Sequence, residues 1–167
     1  EMSDFWLSRY VSAGQIADMT PYIDTASFDD DIEGDTFSYG SINETLYTIP
    51  YGYYLRALIY NKKIFKEAGI EKPPLTLSEF YQTSAKISEL PGVSGFCHHG
   101  GRGGPVFYYW LMTTMNGSDQ FFDAEGNSTF YNQGAIDGLT MIRDLYVNGY
   151  APKDSINWGF NETVSGF

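Results

Sequence analysis

The chain has 167 residues, of which 43% are hydrophobic and 19% charged, and its formal net charge is −11. This length favours one domain of ordinary size, with enough apolar side chains for a packed core. The acidic balance argues against nucleic acids and anionic membrane surfaces as partners, because Lys and Arg must meet their phosphate groups. The single cysteine, Cys97, excludes an intrachain disulfide and cysteine-based zinc patterns.

The first half of the chain contains predicted helices with clear start and stop signals. A helix is expected over 4–13, followed by strands at 46–51 and 56–60. Asn61 is expected to cap a helix over 62–68 that ends at a glycine.

Thr76 and Glu79 have the spacing of a capping box, which predicts the start of a helix over 77–90. A short strand is expected over 93–97, before a glycine-rich loop.

The second half alternates helices with short extended segments. Helices are predicted over 105–115 and 133–147, with a hairpin at 121–131 between them. The apolar stripe of the later helix is predicted to bury Ile136, Leu139, Ile142, Leu145 and Tyr146. This alternation predicts an α/β architecture.

Aromatic residues make up 17% of the chain, including 14 Tyr and 3 Trp. One interpretation is a tyrosine-rich core and surface. The other is a ligand cleft lined by rings, because Tyr and Trp pair an apolar face with a polar edge, as sugars do.

The order of features from Tyr47 to Ile87 resembles the solute-binding proteins of carbohydrate-type ABC importers. An apolar strand carries Ile49 and Pro50, an aromatic run follows, and a second strand leads to the Tyr60–Asn61 pair. In that family the first strand crosses between two lobes, and the Tyr-Asn pair starts a helix of the second lobe. The resemblance extends from Phe5 to Phe167.

This resemblance implies a periplasmic-binding-protein-like α/β fold. Residues 1–48 would be a remnant of the first lobe, and residues 49–167 would form most of the second. The chain is then expected to be a central fragment, with apolar surface exposed where the remainder packs.

The resemblance also implies a function. It implies capture of a mono- or oligosaccharide between the lobes and delivery to a membrane permease, without enzymatic activity or a cofactor. It further implies an extracellular or periplasmic location, with a lipoprotein anchor in the full-length protein.

Four residues are expected to contact the ligand by their places in this scheme. Tyr53 follows the crossing strand, Arg102 lies in the glycine-rich loop, Tyr108 begins the next helix, and Trp158 precedes the last helix. Arg102 could instead be a surface residue or form an ion pair, and Trp158 could be buried within the lobe. Trp110 is interpreted as a core residue.

Other chemistry has weaker support in the sequence. Residues 29–35 resemble a calcium loop but lack the bidentate Glu at the twelfth position, so a solvated acidic loop is favoured. Cys97, His98 and His99 could suggest a metal site or a thiol nucleophile. Successive side chains of a strand point to opposite faces, and a thiol nucleophile needs a base held beside it, so neither is favoured.

The rival functional class is a carbohydrate-active enzyme, such as a glycoside hydrolase with paired carboxylates. No carboxylate pair stands out in this sequence. A structural interaction domain without a small ligand is a third alternative.

Overall fold

The computed structural model describes residues 2, 6–28, 32, 36–52, 55–101, 104–118 and 120–167. The chain divides into two compact units, Glu1–Leu58 and Ile59–Phe167. The expected lobe boundary after residue 48 stays a prediction, because compactness alone does not identify a lobe.

Among its described residues, the first unit contains one short α-helix, one hairpin and three 3₁₀ turns, at Thr20–Tyr22, Thr25–Phe28 and Thr36–Gly40. Helix α1 spans Leu7–Ser12 and buries Leu7. Residues 4 and 5 of the predicted range 4–13 lie outside the described residues. Strands β1 (Ser41–Ile42) and β2 (Thr45–Leu46) pair antiparallel. The two turn residues between them have positive φ angles of 50° and 65°, the backbone geometry that favours tight hairpins.

The predicted strand 46–51 is wrong beyond Leu46. The backbone N–H groups of Tyr47 and Thr48 both donate to the Gly40 carbonyl, at 2.9 and 3.2 Å. Tyr47 and Thr48 therefore both lie opposite Gly40, as two residues lie opposite one in a β-bulge, and the ladder ends there.

The predicted strands 56–60 and 93–97 are also wrong, since neither segment forms a ladder with another described segment. Leu55 and Ile59 are 88% and 74% exposed. Phe96 N–H donates to the Tyr150 carbonyl, which is one bond and not a ladder. A strand needs a neighbouring backbone, and an apolar sequence pattern does not provide one.

The second unit begins with two helices that start where their caps predict. In α2 (Lys62–Glu67) the Asn61 side chain accepts hydrogen bonds from two backbone N–H groups. In α3 (Leu77–Ile87) Thr76 and Glu79 form the complete capping box. These side chains satisfy N–H groups that the first turn leaves unpaired, which explains both start points.

Helices α4 (Pro105–Asn116) and α5 (Gln133–Val147) match their predicted ranges closely and pack against each other. Their contact is made through glycine. A Cβ atom added at Gly138 would lie 2.7 Å from the Leu111 carbonyl oxygen and 2.9 Å from the Met112 Cα. Gly134, one turn earlier, meets the backbone of the last turn of α4 in the same way.

This close approach corrects the predicted stripe of α5. Ile142 and Leu145 are buried as predicted, but Ile136 and Leu139 are 45% and 49% exposed. The small residues turn toward α4, because only they admit its backbone, and the two larger side chains lie on a neighbouring face.

The core lies where α3 and α5 meet the segments that follow them. Phe80, Leu145 and Ala151 form its buried centre. Phe96 packs edge-on against Phe80, with ring centroids 5.0 Å apart. The remaining elements of the second unit, among its described residues, are 3₁₀ turns at Thr129–Tyr131 and Lys153–Asn157 and the final helix α6, Phe160–Gly166.

The predicted hairpin at 121–131 is reduced to one antiparallel bridge, Phe122 with Ser128. Its tip is held by Asp123, whose carboxylate accepts from the backbone N–H groups of Glu125 and Asn127. These hydrogen bonds, led by the one from Asn127, lower the pKa of Asp123.

The glycine contact between α4 and α5 can be tested with Gly138→Ala in the full-length protein. Alanine favours a helix, but its methyl group would press on backbone atoms that cannot rotate away. We expect a net loss of about 1–2 kcal/mol in the free energy of unfolding, measured with urea.

Gly52→Ala is the control, because no atom lies within 4 Å of a Cβ added there. Equal stability of the two variants would contradict the close approach of the helices.

Candidate functional site

The four predicted ligand residues divide evenly between described and undescribed parts of the chain. Tyr53 and Arg102 lie outside the described residues, and their places in the site stay predictions. Tyr108 lies in α4 and Trp158 follows the Lys153–Asn157 turn, each of them half-buried.

The glycine-rich loop before α4 is bonded to the segment that carries Trp158. Gly100 N–H donates to the Ser155 carbonyl at 2.9 Å, and Gly101 N–H donates to the Trp158 carbonyl at 3.0 Å. A Cβ atom at Gly100 would lie 2.5 Å from the Ile156 Cα, so only glycine admits this approach. The structure therefore brings Trp158 next to the residue that precedes Arg102 in sequence.

Ser155 is the centre of this backbone contact. It is fully buried, and its carbonyl accepts from Trp158 N–H at 3.2 Å as well as from Gly100. Its hydroxyl donates to the Pro152 carbonyl at 2.7 Å and lies 3.4 Å from the Tyr146 hydroxyl.

Tyr108 is joined to the same region through His98. The two rings meet edge to face, with centroids 5.5 Å apart and planes at 75°. His98 also contacts the rings of Phe96, Phe107 and Tyr146, at centroid distances from 4.8 to 6.2 Å. Burial raises the pKa of the Tyr108 hydroxyl, which therefore stays protonated and able to donate.

His98 is held as a neutral imidazole. Its Nδ1 lies 3.2 Å from the Tyr146 hydroxyl, and its buried Nε2 has no hydrogen-bond partner among the described residues. Burial first, and the neighbouring His99 second, lower the pKa of His98 from 6.5 to about 4. Burial removes hydration from a charged imidazolium, and a charge on His99 would repel it, which explains the direction.

The sequence reasoning missed His98, Tyr146 and Ser155 as a connected group. The histidine pair was considered only as a metal site. The described residues contain no group of three His, Cys, Asp or Glu side chains that could hold a metal ion. The sequence did contain one indication of this group, because Tyr146 carries a polar hydroxyl and lies on the predicted buried stripe of α5.

Cys97 does not have the surroundings of a nucleophile. Burial raises the pKa of its thiol, which disfavours the reactive thiolate.

The interpretation of Trp110 as a core residue is wrong, because 45% of it is exposed. Leu111 and Met112 take the buried positions on this turn of α4. The neighbouring Tyr109 packs against Phe121 and Phe130 of the hairpin region, with centroids 5.8 and 5.7 Å apart.

Two shallow depressions mark the surface of the second unit. One is lined by Thr113, Thr114, Gly117 and Ser118, and the other lies beside α2. Neither of these two depressions is lined by Tyr108 or Trp158. None of the described helices has the length and apolar content needed to span a membrane.

Comparison with known proteins shows what this chain is similar to. The profile of the bacterial extracellular solute-binding proteins matches residues 1–167. A Brucella abortus protein named as a binding protein is 27% identical over 150 residues, or 86% of this chain. A Brucella suis protein matches with the same figures. The chain spans 35% of the length of these relatives.

Solved structures of similar fold include T. maritima MalE3 with bound maltose, with a TM-score of 0.72 and 20% identity over 95% of this chain and 40% of that one. A chitin oligosaccharide binding protein gives 0.72 and 21% identity, over 94% and 39%. The GacH receptor of Streptomyces glaucescens gives 0.69 and 20% identity, over 98% and 41%.

These likenesses confirm the predicted α/β fold of the periplasmic-binding-protein type, of which the chain forms a part. The family consists of binding proteins, so the prediction that the chain is not an enzyme is also confirmed, and the glycoside-hydrolase alternative has no support. The chain belongs to the bacterial extracellular solute-binding proteins.

Proposed function

We propose that the protein containing these residues is the substrate-binding component of a carbohydrate ABC importer. The observation that carries the proposal is that Gly101 N–H of the glycine-rich loop donates to the Trp158 carbonyl, while the ring of Tyr108, in the helix that follows this loop, packs on His98. Trp158 and Tyr108 are half-buried aromatic residues that combine an apolar ring face with a polar edge, which suits a sugar. The fold neighbours named for maltose and for chitin oligosaccharide agree with this ligand class.

The proposed mechanism is capture without chemistry. The second lobe, residues 49–167, supplies one wall of the cleft and the remainder of the protein supplies the other. The sugar stacks on Trp158 and Tyr108 and receives hydrogen bonds from Arg102, with Tyr53 at the crossing between lobes. A hinge then closes, and the closed form docks on the membrane permease.

Location follows from the same proposal. The family is extracellular, and delivery to a permease requires the protein to remain near the membrane. A lipoprotein anchor on the full-length protein would satisfy this requirement. The acidic net charge of −11 would not hold the protein on an anionic lipid surface by itself.

The function is tested by calorimetry of the full-length protein with maltose, acarbose and a chitin oligosaccharide. Binding of at least one sugar without its hydrolysis supports the proposal. Hydrolysis of an aryl glycoside would instead favour the enzyme, and binding of none of the three sugars would overturn this ligand class.

Trp158→Ala should weaken binding of the tightest sugar by about tenfold or more, because stacking on the ring is lost. Arg102→Ala should have an effect of about the same size, through loss of a charged donor. Both changes should leave the unfolding temperature nearly unchanged.

The matched control is Trp110→Ala, the same change at a more exposed tryptophan, and its affinity should equal that of the wild type. Unchanged affinity in Trp158→Ala and Arg102→Ala would remove both residues from the site.

A further inference from the structure

His98 lies between the two described residues that the proposed function assigns to sugar binding. On one side its ring meets Tyr108 edge to face. On the other, Tyr146 connects it to Ser155, whose carbonyl accepts from both Gly100 and Trp158. The half-buried His98 ring thus contacts Tyr108 directly and is linked to the Trp158 segment through Tyr146 and Ser155.

We propose that His98 is a positioning residue of the sugar site, which holds Tyr108 and the Trp158 segment in their binding arrangement through Tyr146. It does not itself touch the sugar. The inference rests on the proposed function, since it assumes that Tyr108 and Trp158 form the site.

The aromatic contacts fix the side of the site that carries Tyr108. Phe96 and Phe107 pack against the His98 ring, with centroids 5.5 and 4.8 Å away. These contacts restrict the rotation of the His98 ring, so the Tyr108 ring packs against a fixed partner. Edge-to-face pairs have a preferred geometry, so this contact selects one orientation of Tyr108.

The hydrogen bonds fix the side that carries Trp158. The Tyr146 hydroxyl approaches His98 Nδ1 at 3.2 Å and Ser155 Oγ at 3.4 Å. The Tyr146 hydroxyl, carried by α5, therefore reaches the buried Ser155. The carbonyl of Ser155 in turn accepts from Gly100 N–H of the glycine-rich loop. Without the contact to Nδ1, the hydroxyl would lose one of its two partners, and the position of Ser155 would be less defined.

His98 can perform this role only while it is uncharged. The titratable groups facing it are Tyr108 from α4, Tyr146 from α5, and its chain neighbours Cys97 and His99. None of these is a carboxylate that would stabilise an imidazolium. A proton on the ring therefore works against the folded arrangement.

The sign of the pH effect on stability follows from the lowered pKa. Between the unfolded value of 6.5 and the folded value of about 4, the unfolded chain binds the extra proton. The contribution of His98 is fully present above pH 6.5 and is lost as the pH falls toward 4.

In urea unfolding of the full-length protein, the wild type should lose more stability over this interval than His98→Phe, which has no titrating nitrogen. Parallel pH profiles of the two proteins would contradict the neutral, buried imidazole.

The positioning role is tested by a double-mutant cycle on sugar affinity in the full-length protein. His98→Phe keeps a ring but removes Nδ1, and Tyr146→Phe removes the hydroxyl that meets it. Each should weaken binding of the tightest of maltose, acarbose and the chitin oligosaccharide by about fivefold, the worth of one hydrogen bond. Because both remove the same contact, the double variant should be little weaker than either single one.

Tyr131→Phe is the matched control, since it deletes a tyrosine hydroxyl at a residue that is 85% exposed. A second readout is ¹⁹F NMR of protein containing 5-fluorotryptophan, with the Trp158 signal assigned by Trp158→Phe. His98→Phe should shift the Trp158 signal and leave that of Trp6 unchanged, whereas Tyr131→Phe should shift neither.

Unchanged affinity in folded His98→Phe and Tyr146→Phe, or strictly additive losses, would overturn the inference while the proposed function stands. If His98→Phe fails to fold, affinity and the Trp158 signal in Tyr146→Phe decide the question. A wild-type protein that binds none of the sugars would overturn the proposed function, and this inference with it.

Discussion

The contact between Gly138 of α5 and the backbone of α4 is the constraint on which the second unit depends. It sets both the separation and the rotation of the two helices, because any side chain larger than hydrogen would collide with Leu111. With that rotation fixed, Leu145 enters the core and Tyr146 faces His98. The contact between the backbones of α4 and α5 thereby determines where Tyr146 can meet His98, which lies on the segment before α4.

The candidate site is positioned mainly by main-chain atoms. Three N–H groups in the loop and in the Trp158 segment are paired with the carbonyls of Ser155 and Trp158. Such bonds do not depend on side-chain identity, except that Gly100 and Gly101 must lack a Cβ atom. The side chains that would face a ligand can therefore vary over a fixed frame, which suits a family whose members bind different solutes.

Local features of this fold were predictable from sequence, and long-range ones were not. The start of α3 was predictable because Thr76 and Glu79 lie three residues apart and satisfy N–H groups of their own helix. The strand predicted at 56–60 failed because a ladder needs a partner that local sequence does not supply. The stripe of α5 failed at Ile136 and Leu139 because the partner helix selected the small residues instead.

The candidate site likewise combines features that were predictable from local sequence with features that depend on distant residues. Trp158 and Tyr108 were predicted from their order along the chain, as the family resemblance implied, and their contact with a ligand stays a prediction. His98 was visible in the sequence, but its role depends on Tyr146, which is 48 residues away. No periodicity links positions so far apart, and the tertiary packing of the segment of His98 against α5 and the residues after it brings them together.

The hairpin tip at Asp123 has a practical consequence. Its hydrogen bonds are made within the segment from Asp123 to Asn127, and the residues of the tip are exposed. The turn is closed by hydrogen bonds among its own residues, so extra sequence inserted beside Gly126 would disturb little of the surrounding chain. The tip is therefore a suitable attachment point for a fluorophore or an inserted reporter domain, from which a change in the rest of the protein could be recorded as an optical signal.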